Sequence, residues 1–358
     1  MTPPIPTAAR RCAATAAAAL LAAATACSAT AAPAPDGSAA AGTGYRPVTV
    51  ADCTGTETRY ERAPSRVVPL SPSVLEMVLW LGAEDRIAAV GQQPRPGAMP
   101  PEFADTAAGL ASLSGSYTVG GGYRAVPREE LLSVQPDLVL GGFPSNFDAE
   151  GAMSQQELAE AGADSYLAFS TSCATALTGP QTDLELVYRD LENLGGILGV
   201  PERAAELVEE MRARVSQAGG RAAAAERPTV FPFEFDEGTA TPYAPGNRQT
   251  VNAVIELAGG RNLFADRDGV YEQVGWEQVV DRDPDVILVI VYDQGGAAAN
   301  AARAAEAEEF LTSAAALRGV TAVRERRFAR LVYEEASVGG VRTADAVAEL
   351  AEQLHGAP

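Results

Sequence analysis

Across residues 182–198 apolar side chains recur three or four positions apart, at Leu184, Val187, Leu191, Leu194 and Leu198, the spacing that gathers them on one face of an α-helix. Pro201 then suits the first turn of a second helix, and from Glu202 to about Ala224 only Gly219-Gly220 interrupts a stripe of Leu207, Val208, Met211 and Val215. At the helical rise such a segment is about 35 Å long, enough to run from one domain into another. On both sides of it, short apolar runs alternate with helical stretches. Residues 66–70 read as a strand that turns through Ser71-Pro72-Ser73 into a helix ending at Leu81-Gly82, and residues 87–91, 137–140 and 164–169 read as further strands. Beyond the long helix the strands are 229–235, 285–292 and 328–333, before a closing amphipathic helix over 341–354. Strands separated by helices predict parallel sheets with crossover helices, the α/β class.

The chain also repeats itself. Tyr123, Glu129 and the Pro136-Asp137 pair with its apolar run return as Tyr271, Glu277 and Pro284-Asp285, each 148 positions on. Ser73 stands nine positions before Gly82, and Thr250 nine before Gly259, as an N-cap and a C-cap bracket a helix. The repeat predicts two related lobes, 47–200 and 227–358, joined by a connecting helix over 201–226. A small ligand would be held in the cleft between them.

Composition narrows the chemistry. With 358 residues and a formal net charge of −20, the chain is a poor partner for nucleic acid, whose phosphates need basic side chains. All 27 basic residues are arginine, which removes P-loop and Schiff-base lysines. The single histidine, His355, stands near the end, so a Ser-His-Asp triad or a multi-histidine zinc site is not available. Glu234, Asp236, Glu237, Glu334 and Glu335 are the remaining acid–base candidates, although such runs are more often solvated faces. The expectation is a binding protein that is not an enzyme and needs no cofactor.

The N-terminus reads as an export signal: Arg10-Arg11, then an apolar run over 13–24, too short to span a bilayer stably. It ends in Ala24-Thr25-Ala26-Cys27, which resembles a bacterial lipobox. That resemblance implies a signal peptide over 1–27, lipidation of Cys27 and anchorage to the outer face of the cell membrane; conventional cleavage after Ala26 is the alternative. Residues 28–46 have the composition of a flexible tether. With Cys12 removed and Cys27 lipidated, Cys53 and Cys173 are left to pair in an oxidising compartment, with two buried free thiols as the alternative.

In open α/β sheets ligands gather beyond the carboxyl ends of the strands. Here those ends carry Gln92-Gln93, Phe143, Asp236, Tyr292 and Glu334, a set in which aromatic groups recur beside polar ones. Arg66 through Ser73, the Glu-x6-Pro-Asp phrase in each half, Ala258 through Phe264 and the long helix are similar to the class III (cluster A) solute-binding proteins of ABC importers for iron-siderophores, haem and cobalamin. The similarity spans residues 46–357. It implies two Rossmann-like lobes with parallel sheets, joined by one long α-helix, and a solute in the cleft. It implies that Tyr123, Tyr271 and Tyr243 touch the solute, with Glu334 in a late loop lining the pocket. Gln93, Phe143 and Tyr292 join them from the strand ends, and Arg248 is a candidate for meeting an acidic chelate. Glu129 and Glu277 would dock onto arginines of the permease subunits. The expected cargo is an iron-siderophore or related metal chelate; a cobalamin or haem receptor, or a receptor for a bare metal ion, are the alternatives, the last two weakened by the shortage of histidine.

Overall fold

Alternation of side chains across each strand decides the layering. In the computed structural model, which describes residues 44–118, 122–171, 173, 179–222 and 226–356, the strand Val286–Val291 is buried on both faces. Val286, Leu288 and Ile290 join the core shared with the connecting helix, while Ile287, Val289 and Val291 join a second core with Phe231 and Phe233. A strand covered on both faces needs helices on both sides, as parallel sheets do.

The second lobe is a parallel sheet in the order Arg261–Asn262, Thr229–Glu234, Val286–Val291, Phe328–Val332. The first lobe is built on parallel strands Val67–Pro69, Leu138–Gly141 and Asp164–Leu167, with Leu138–Gly141 in the middle. The strand expected over 87–91 is only two isolated parallel bridges, Val67 to Ile87 and Val90 to Ser112, which continue the sheet at its edge. The two-lobed α/β reading of the sequence therefore stands.

The 148-residue repeat has a structural counterpart. In each lobe a short strand leads into a short helix and then a central strand: Gly122–Arg124, Arg128–Ser133, Leu138–Gly141, and Tyr271–Gln273, Trp276–Arg282, Val286–Val291. Gln135 and Asp283, also 148 apart, both hold the left-handed conformation, with φ of 46° and 44°. Each ends its helix in front of a proline that cannot continue it. The aspartates that follow tie down neighbouring strands. Asp137 accepts from the amides of Ser65 and Arg66 (both 2.8 Å), and Asp285 from the amide and hydroxyl of Thr229 (2.8 and 2.7 Å).

Helix ends differ in detail from the sequence pattern. Ser71 and Gln249, rather than Ser73 and Thr250, are the N-caps of Pro72–Trp80 and Thr250–Leu257. Gly82 and Gly259 follow their C-termini at φ of 67° and 82°, the role glycine serves there. The helices predicted over 182–198 and 341–354 run Glu185–Leu198 and Thr343–His355.

The connecting helix is Pro201–Ala222. Leu207, Val208 and Met211 are buried, and the helix packs on Glu185–Leu198 of the first lobe and on Thr250–Leu257 and Thr343–His355 of the second. One hydrophobic core therefore runs from lobe to lobe through it. Residues 44–358 form one compact unit. Cys53 and Cys173 are joined in a disulfide with Cα atoms 6.0 Å apart. Cys27, the signal peptide and most of the tether lie outside the described residues.

Candidate solute-binding site

Because both sheets are parallel, the carboxyl ends of their strands face one region, and a cavity of about 600 Å³ opens there between the lobes. From the first lobe, Leu138–Gly141 delivers Phe143 and Asn146, and Val67–Pro69 delivers Ser71 and Ser73. From the second, Val286–Val291 delivers Tyr292, and Phe328–Val332 delivers Tyr333 and Glu334. The hairpin strands Ser116–Thr118 and Gly122–Arg124 add Tyr117 and Tyr123. Asn146 accepts from the amides of Gly142 and Phe143 (2.9 and 3.0 Å), fixing the turn that presents the Phe143 ring.

Four of the eight ligand residues expected from sequence meet here: Tyr123, Phe143, Tyr292 and Glu334. The other four do not line the cavity. Gln93 is exposed and donates to the carbonyl of Ala107 (3.2 Å), so the lining residue is its neighbour Gln92. Tyr243 and Tyr271 sit on the antiparallel pair Tyr243–Pro245 and Tyr271–Gln273, packed edge to face with ring centroids 6.5 Å apart. Tyr271 then donates its hydroxyl to Glu234 (3.2 Å). Arg248 is held by Asp268 through two bonds of 2.7 and 2.9 Å. Tyr117 was missed, since a three-residue strand has no periodicity to detect. It is 46% exposed and stands out as the exposed large hydrophobic side chain among the described residues.

Charge in the cavity is paired. Arg95 reaches across to Glu334 and lies flat over Tyr292, its guanidinium carbon 3.7 Å from the ring centroid. Asp236 accepts from Arg303 (2.6 Å) and from the Tyr292 amide (2.7 Å). Glu76, buried on Pro72–Trp80, takes both arms of Arg342 (2.9 and 2.8 Å) from the opposite lobe. Arg342 also donates to the carbonyl of Ala98 and to Glu335 (both 3.1 Å). Burial pushes the hydroxyls of Tyr117, Tyr123, Tyr292 and Tyr333 above the usual phenol range, so they stay neutral donors.

Behind this wall Glu234 is buried, accepting from Ser337 (2.6 Å) as well as from Tyr271. Desolvation raises its carboxyl to about 7 from an ordinary 4.5. A raised folded-state value means stability that is whole below pH 4.5 and declines as pH rises through 7, by about 3 kcal/mol in all. Glu234→Gln keeps an acceptor for Ser337 and Tyr271. It should flatten the stability–pH profile between pH 5 and 8 and raise the melting temperature at pH 8; an unchanged slope in urea titrations across that range would exclude this role.

The docking candidates occupy equivalent places. Glu129 and Glu277 are the second residues of Arg128–Ser133 and Trp276–Arg282, exposed, with no ion pair among the described residues. Among the described residues, too, no group of three or more His, Cys, Asp or Glu is placed to hold a bare metal ion.

Fold and cavity together define a protein that grips a solute between two lobes. A periplasmic binding protein family model matches residues 67–333, and the chain belongs to that family. It is thus an extracytoplasmic substrate-binding component, not an enzyme. Among curated proteins it is 28% identical over 228 residues to a vitamin B12-binding protein of Yersinia pestis (strain Pestoides F), covering 64% of this chain and 70% of that one. Among solved structures it is similar to a periplasmic binding protein from Veillonella parvula, with a TM-score of 0.72, 26% identity and coverage of 87% of this chain and 99% of the other. An ABC-type Fe3+-hydroxamate transport system protein from Saccharomonospora viridis shares the fold, with a TM-score of 0.69, 22% identity and coverage of 86% and 99%.

Proposed function

We propose that this protein is the lipid-anchored receptor of an ABC importer, capturing an iron-siderophore or related metal chelate outside the membrane and handing it to the permease. The observation that carries this reading is the inter-lobe cavity, walled by Phe143, Tyr117, Tyr123, Tyr292 and Tyr333, with neutral polar groups and arginine-paired carboxylates between them. Such a lining suits a bulky solute with apolar faces and several hydrogen-bonding atoms. Glu129 and Glu277, one on each lobe, serve as the docking points for permease arginines, which grip carboxylates in bidentate fashion. Cys27 carries the anchor.

A cobalamin receptor is the second reading, favoured by the similarity to the vitamin B12-binding protein of Yersinia pestis, 28% identical. Titration of the purified protein by quenching of its intrinsic fluorescence distinguishes the two. Ferrichrome should bind with one-to-one stoichiometry, and Tyr123→Ala with Tyr292→Ala should weaken it about 30-fold or more, the size expected when central aromatic anchors are removed. Binding of cyanocobalamin without ferrichrome would transfer the assignment to the second reading. Binding of neither would remove both.

A further inference from the structure

This inference rests on the receptor reading and concerns what the same cavity accepts. The side chains lining it include three carboxylates, Glu76, Asp236 and Glu334, and one cation, Arg95. Every one of the six carboxylate oxygens is engaged. Those of Glu76 take Arg342. Those of Asp236 take Arg303 on one side and the Tyr292 amide on the other. Those of Glu334 take Arg95 and, at 2.9 Å, the Asp293 amide. Arg95 is itself committed twice, to Glu334 and to the face of Tyr292. What is left facing the cavity is uncharged: phenol rings, of which Tyr292 already donates its hydroxyl to Glu237, the Gln92 and Asn146 amides, and the hydroxyls of Ser71, Ser73 and Thr118.

We infer that the cavity selects solutes with no net charge that present carbonyl or amide groups around an apolar body, such as a neutral ferric trihydroxamate. The cause is a cost rather than a repulsion. An anionic solute drawn to Arg95, which is 46% exposed, competes with Glu334 for it, and any loosening of the pair leaves a carboxylate only 9% exposed short of its cation. Burial already holds the Glu334 carboxyl above the usual carboxylate range, which shows how little solvent is there to compensate the loss. A cationic solute meets the converse problem at the lining, because each of its three carboxylates already has its arginine. A neutral solute disturbs none of these pairs, and a corrinoid shares that property with a trihydroxamate.

The test compares four probes on the intact protein by fluorescence titration: ferrichrome, which is neutral; ferrioxamine B, with the same ferric trihydroxamate centre and one added ammonium; a ferric tris-catecholate trianion; and neutral cyanocobalamin. Either neutral probe should bind at least about tenfold tighter than both charged ones, a difference on the scale of one disrupted ion pair. Ferrichrome or cyanocobalamin in first place tells chelate from corrinoid. Glu334→Gln leaves Arg95 without its carboxylate and should reduce the neutral-over-trianion preference at least tenfold. Should that variant not fold, Glu334→Asp, which draws the carboxylate back from Arg95, is expected to move the ratio in the same direction. Trianion binding as tight as that of the neutral probes overturns the charge inference while leaving the receptor reading intact; failure of all four probes to bind ends both.

Discussion

Glu129→Arg combined with Glu277→Arg is expected to abolish solute uptake by cells while leaving the purified receptor's affinity for its solute within about twofold, because both residues are exposed and neither lines the cavity. The two positions are related by the internal repeat, and each opens a helix whose partial positive charge favours a carboxylate there. Reversal puts like charges against the permease arginines on both lobes at once, which costs several kcal/mol at an interface and removes the orientation a bidentate pair provides. Each single reversal should give an intermediate loss, since one lobe still engages. Uptake of radiolabelled solute and equilibrium binding are measured on the same variants. Uptake at the normal rate in the double variant would show that the glutamates only stabilise their helix ends, and weakened binding would place them in the solute site.

Arg342→Met should destabilise the fold by about 3–5 kcal/mol, the cost of removing one member of a buried ion pair and stranding the other. Glu76 is 7% exposed and receives Nε and Nη2 of the guanidinium, while Nη2 also holds the Ala98 carbonyl and Nη1 holds Glu335. This single side chain therefore stitches the second lobe to two segments of the first, just beneath the solute. A double variant, Glu76→Met with Arg342→Met, leaves no uncompensated charge and should recover more than half of the loss; the cycle of single and double variants isolates the coupling. Urea denaturation gives both numbers. A cost below about 1 kcal/mol for Arg342→Met would mean that solvent reaches Glu76 readily and that the pair is not a structural pin.

How much of this was legible in the sequence depends on the range of the interactions. The strand-end rule located Phe143, Tyr292 and Glu334 because an apolar run of four to six residues marks its own end and a parallel sheet fixes which way that end points. The family resemblance pointed to both Tyr123 and Tyr271; Tyr123 lines the cavity, but at Tyr271 a different neighbour intervenes: Tyr243, paired across an antiparallel ladder, covers one ring edge, and Glu234 takes the hydroxyl. Gln92 and Gln93 show the hazard of a one-residue phase error, since in the bend that follows Val90 the first lines the cavity and the second turns to the Ala107 carbonyl. Arg248 carried no local sign that Asp268, twenty residues on, would hold it. Arg95, Arg303 and Arg342 meet their carboxylates across sequence separations of 239, 67 and 266 residues, and no pattern along a single chain announces such pairs.

The connecting helix has a consequence at the membrane. Its apolar stripe is buried against elements of both lobes, so parting them widely would expose a continuous core to water. The core predicts a bracket more than a jaw, with an outline that should change little whether vacant or laden. A permease that grips the two lobes by their rims then sees nearly the same silhouette in either case, so vacant copies compete with laden ones for the same berth. With docking on both lobes, transport rate is expected to follow the ratio of the two populations as much as the total supply of cargo.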